Sequence, residues 1–68
     1  MNVLLEMTAL SLARPTFDAS STEIAAWFEA KACFHDHLAG EGGPDAEHER
    51  ALATSARRRS LVLMGGAA

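Results

Sequence analysis

Sixty-eight residues with a formal net charge of −3 allow one domain at most. A chain of this size buries only about 60% of the surface its unfolded form exposes, and its single cysteine, Cys33, excludes an internal disulfide framework. The acidic balance, with a sequence pI near 5.4, argues against non-specific nucleic-acid binding by the chain as a whole.

The first element, residues 1–19 with its linker, is ambiguous in period. Leu, Met, Glu and Ala favour helix, and Val3, Met7 and Leu10 fall on one helical stripe. Leu5 to Ala9 also alternates as a strand would. Helix is the expected state. The apolar run from Val3 to Ala13 has no basic flank and contains Glu6, so no secretory signal is expected. It is also shorter than the roughly 20 residues that span a bilayer. With one cysteine and no targeting signal, a reducing cytoplasm is the expected compartment. Arg14-Pro15 ends the element, because Pro15 pushes Arg14 out of the helical region. Thr16 to Ala19 reads as a linker, with Phe17 free to act as a hydrophobic plug.

Ser20-Ser21-Thr22-Glu23 is a helix start with a mechanism. The Ser20 hydroxyl can accept from the Glu23 N–H, and the Glu23 carboxylate can reach back to the N–H of Ser20. The helix that follows is expected over about 21–39. At 100° per residue, Ile24, Trp27, Phe28, Phe34 and Leu38 gather on one face, with Lys31 and His35 in its middle. Ala26, Ala30, Cys33 and His37 form a smoother strip opposite. Gly40 to Pro44 stops the helix.

Pro44 suits the first position of a second helix over about 45–62, and Asp45 and Glu47 complement its positive end. Its inward face reads as Leu52, Ala53, Ala56 and Leu63, with Ala46 and Ser60 beside it. The fold class is therefore all-α: an antiparallel helical hairpin over residues 20–64, an N-terminal apolar element, and a frayed tail at 65–68. Closing the hairpin around its loop would bring Lys31 to Glu49 and Leu52, His35 to His48, and Trp27 to Ala56.

The polar cluster Cys33-Phe34-His35-Asp36-His37, with His48 across the loop, contains zinc-ligand types. Cys33 and His37 have the i, i+4 spacing that places two donors on one face. His35 and His48 point the other way, so Cys33, His35, His37 and His48 do not converge within one chain and no metal or cofactor is expected; a metal-binding hairpin, its site assembled between two chains, is the third reading. Asp45-Ala46-Glu47-His48 is a poor match to the Glu-x-x-His of carboxylate-bridged di-iron sites. Cys33 with His37 lacks an oxyanion hole and a third orienting group, so no enzymatic activity is expected.

Arg57-Arg58-Arg59 is the only basic run. It complements the helix dipole and is the candidate partner-binding cluster. The outline is also similar to a ribbon-helix-helix DNA-binding dimer. That family has an N-terminal strand, here Thr8 to Arg14, a first helix opened by a Ser/Thr-x-x-Glu cap, a Gly-containing turn and a second helix. The resemblance implies a dimeric regulator using Arg57 to Arg59. The chain departs from it in a strand with only Arg14 to read bases, a longer first helix and a more glycine-rich loop.

Hydrophobic residues are 49% of the chain, but many are alanines, which bury little area each. One hairpin face cannot cover both Val3–Leu12 and Leu61–Met64. The expected function is a non-enzymatic interaction module, an adaptor, inhibitor or accessory factor, acting as a homo-oligomer on an unidentified protein partner. Val3, Leu5, Met7, Leu10, Trp27 and Leu63 are the candidate oligomerisation residues.

Overall fold

The computed structural model describes residues 2–65 and contains three helices in this range, with no strand among the described residues. Helix α1 spans Val3–Leu12, α2 spans Ser21–Gly40 and α3 spans Ala46–Leu63. The expected frayed tail lies outside the described residues apart from Gly65. Among the described residues, no helix is long and apolar enough to cross a membrane.

The N-terminal element resolves as helix because it is capped. The Asn2 side chain accepts from the Leu5 N–H at 3.1 Å, satisfying one of the four amides that a helix start leaves open. Thr8 to Leu12 is thus helical, and the strand that the ribbon-helix-helix outline needs does not form. Helix α1 ends at Ala13, just ahead of the Arg14-Pro15 pair that forbids its continuation.

Half of the expected capping box is present at α2. The Ser20 hydroxyl accepts from the Glu23 N–H at 3.1 Å; no return bond from the Ser20 N–H to the Glu23 carboxylate occurs among the described residues. The loop after α2 turns on Gly42 and Gly43, whose φ angles of 78° and 93° lie in the left-handed region that a Cβ disfavours. Pro44 stands one residue ahead of the N-cap of α3, outside the helix rather than at its first position. Asp45 occupies that cap without a side-chain capping bond, and Gly65, at φ 82°, follows the last turn.

Helices α2 and α3 make most of the tertiary contact, and α1 packs on α2 alone. The seam between α2 and α3 is built from small residues. Ala25, Ala32 and Ala39 recur at heptad spacing on α2, facing Ala53, Ala56 and Ser60 on α3, and all six are buried. The Ser60 hydroxyl donates to the Ala25 carbonyl at 2.8 Å across this seam. Phe34 is the only large side chain among the buried residues.

This seam corrects the expected hairpin face. α2 presents Ala25, Phe28, Ala32, His35 and Ala39 to α3, and turns Trp27 toward α1. His35 meets Glu49 at 2.6 Å instead of His48, which is exposed. Lys31 lies 5.7 Å from the centre of the Trp27 ring instead of pairing with Glu49. Two helices approach most closely where their side chains are smallest, so the alanine row takes the seam and the bulky residues move to its edges. Ile24, Leu38, Leu52 and Leu63 are half-buried.

On α2, the residues facing α3 and those facing α1 lie about half a turn apart, at 100° per residue. α2 is therefore the middle of a row, and α1 and α3 make no close backbone approach among the described residues. The molecule is flat, 36 × 28 × 15 Å, and exposes 4836 Å². A compact monomer of its mass would expose about 4,100 Å². No residue of α1 is buried.

Candidate functional site

A groove of about 380 Å³ separates α1 from α2. Its α1 wall is Glu6, Ala9, Leu10 and Ala13, one helical face at i, i+3, i+4 and i+7. Its α2 wall is Glu23, Ala26, Trp27, Ala30 and Phe34. Four alanines leave the space unfilled, the two aromatic rings make it apolar, and Glu6 and Glu23 contribute carboxylates. The strip of Ala26, Ala30 and His37, which the sequence places away from the bulky face, is thus where α1 lies.

Two polar links hold α1 across the groove. The Trp27 indole N–H donates to the Leu10 carbonyl at 2.9 Å. Leu10 is within the last turn of α1, where carbonyls lose their intrahelical partners, so the indole acts as a C-terminal cap from a neighbouring helix. His37 Nδ1 lies 2.8 and 3.0 Å from the two Glu6 carboxylate oxygens. Neither link was legible in the sequence, since each joins residues far apart in the chain.

The candidate oligomerisation residues fall in three environments. Leu5 and Met7 are exposed on the outward face of α1, Leu10 and Trp27 meet inside the groove, and Val3 and Leu63 are half-buried. Leu4 and Leu12 also face solvent, at 72% and 83% exposure, and neither belonged to the expected stripe. Helix α1 is apolar on every side, so no single stripe marks its outer face. Leu61, Val62 and Met64 are exposed at the end of α3.

The arginine run is divided by the seam. Arg57 donates to Asp36 at 2.9 Å and lies 3.5 Å from Glu29, and Asp36 above all raises its pKa further above the usual arginine range. The Arg59 guanidinium sits 5.5 Å from the centre of the Phe28 ring, a cation–π arrangement. Arg58 is exposed and has no ion pair among the described residues.

The metal-ligand candidates are likewise dispersed. Cys33 is an exposed thiol, His35 is bonded to Glu49, His37 to Glu6, and His48 faces solvent. Among the described residues, no three His, Cys, Asp or Glu side chains are grouped to hold a metal ion. No hydrogen bond joins Cys33 to His37 among the described residues, because His37 turns to α1.

No protein-family model matches the chain, and no similar curated protein or solved structure was found.

Proposed function

We propose that the chain is a non-enzymatic protein-interaction module that works as a homo-oligomer in the cytoplasm. In this reading α2 and α3 form an antiparallel hairpin that serves as a stable platform, and α1 is the element presented to partners. The observation that carries it is the outward face of α1, where Leu4, Leu5, Met7 and Leu12 stand in solvent on a helix with no buried residue. Four large apolar side chains exposed on one short helix of so small a chain favour an interface there. The surplus of exposed area over a compact chain points the same way.

The DNA-regulator reading draws less support. Arg57 and Arg59 are engaged by α2, so two of the three arginines would have to give up intramolecular partners to meet phosphates.

Native mass spectrometry of protein purified without chelator, at two concentrations, tests the proposal. A metal-free dimer or higher oligomer that dissociates in Leu5→Glu with Leu12→Glu is the expected result. A monomer at both concentrations, or stoichiometric metal, would overturn it.

A further inference from the structure

Phe17 stands alone among the apolar side chains. It is 103% exposed, more than any other large hydrophobic residue described. The backbone holds it there: the Ala19 N–H donates to the Thr16 carbonyl at 3.1 Å, closing a turn with Phe17 and Asp18 at its tip. The Thr16 hydroxyl donates to the Asp18 carboxylate at 2.5 Å and braces the same turn. The side chain is therefore presented outward by local bonds and is fully exposed among the described residues.

The α1–α2 groove is the opposite case, an apolar space with aromatic and alanine walls that its own chain leaves empty. We propose that Phe17 of one copy inserts into the α1–α2 groove of a second copy, and that the second copy's linker returns the same contact. The inference deepens the homo-oligomer reading and rests on it.

Three features favour a second copy as the occupant. First, the plug and the socket are chemically matched: Trp27 and Phe34 line the groove with aromatic carbon, and Ala26 and Ala30 leave room beside them for a phenyl ring. Second, the linker that carries Phe17 joins the two walls of the groove. Plug and socket are thus neighbours, and one two-fold axis can engage both at once in a closed pair. Third, the area is of the right order. Each inserted ring buries about 150–250 Å², and Leu12, 83% exposed at the end of α1, lies close before it in the chain. A standard interface takes about 800 Å² from each partner, of which the inserted ring and the groove it enters would supply the apolar centre.

Sedimentation equilibrium of the full chain, with Trp27 emission followed over the same concentrations, tests the proposal. Trp27 is the only tryptophan, so its emission reports the groove. The wild-type chain should associate with a blue shift of that emission. Phe17→Ala removes no contact within its own chain and should keep the wild-type helical circular dichroism. It should weaken association at least about 100-fold, the loss of two central aromatic anchors per pair, and abolish the blue shift. Ala30→Leu should do the same with Phe17 intact, by filling the socket from its own wall. Wild-type association in either variant would overturn the insertion while leaving a homo-oligomer formed through other residues. A wild-type chain that stays monomeric would overturn the homo-oligomer reading as well.

Discussion

The two helix contacts of this protein are built on different principles. Between α2 and α3, alanines at heptad spacing let the backbones approach, and the polar groups at the seam are satisfied across it: Ser60 to Ala25, His35 to Glu49 and Arg57 to Asp36. Between α1 and α2, alanines also line the contact, yet a groove of about 380 Å³ remains and two polar links span it. Small residues therefore do not by themselves produce close packing. They do so where both helices present them in register along several turns. α2 and α3 are long enough for this, at 20 and 18 residues, whereas α1 has 10.

The sharpest way to break this comparison is to enlarge one alanine in each contact. Ala32 is fully buried in the seam, and Ala32→Leu should cost about 3 kcal/mol in urea unfolding, since a close-packed seam cannot absorb the added carbons. Ala30 borders the groove, and Ala30→Leu should change the stability of the monomer by about 0.5 kcal/mol or less. Equal losses would show that the groove closes in solution.

A smaller contrast lies in the two histidine–carboxylate pairs. The His35–Glu49 side chains are 13% and 19% exposed, and His37–Glu6 48% and 29%. Glu49→Ala should cost about 1–2 kcal/mol, because it strands a largely buried imidazole. Glu6→Ala should cost less than about 1 kcal/mol, as exposed pairs do. Reversal of that order in denaturant titrations would place the firmer joint at α1.

The most local expected effect is at the indole cap. Trp27→Phe keeps an aromatic side chain and deletes the donor to Leu10, at a cost of about 1 kcal/mol. Native-state hydrogen exchange should show faster opening of α1 amides with α2 and α3 unchanged, since α1 is the least buried element. Uniform acceleration across all three helices would mean that α1 unfolds only with the rest.

Much of the helix layout was legible in local chemistry. Ser20 as a cap, Pro15 as a stop and Gly42-Gly43 as a left-handed turn each act over a few residues, and the helices fall within about one residue of the expected ends. The face of α2 that meets α3 was not legible. Periodicity groups Trp27 and Phe34 with Ile24 and Leu38 as one apolar stripe, but hydrophobicity alone does not say which partner each side of a helix will find. The chemistry around the histidines was misjudged for a related reason: moving Glu49 from Lys31 to His35 takes a slip of about one turn, roughly 6 Å, along α2.

By itself the sequence determined that this is a small helical chain with a Ser20-capped helix joined by a glycine turn to a second, and more apolar surface than one hairpin can hide. These are local or compositional properties, set by caps, breakers and residue type. Only the tertiary structure decided that alanines form the seam, that Trp27 caps α1 from a distance, and that Phe17 and the groove are left without partners in one chain. Those outcomes depend on how closely three helices can approach, which is a matter of side-chain volume in three dimensions and leaves no periodic mark along the chain.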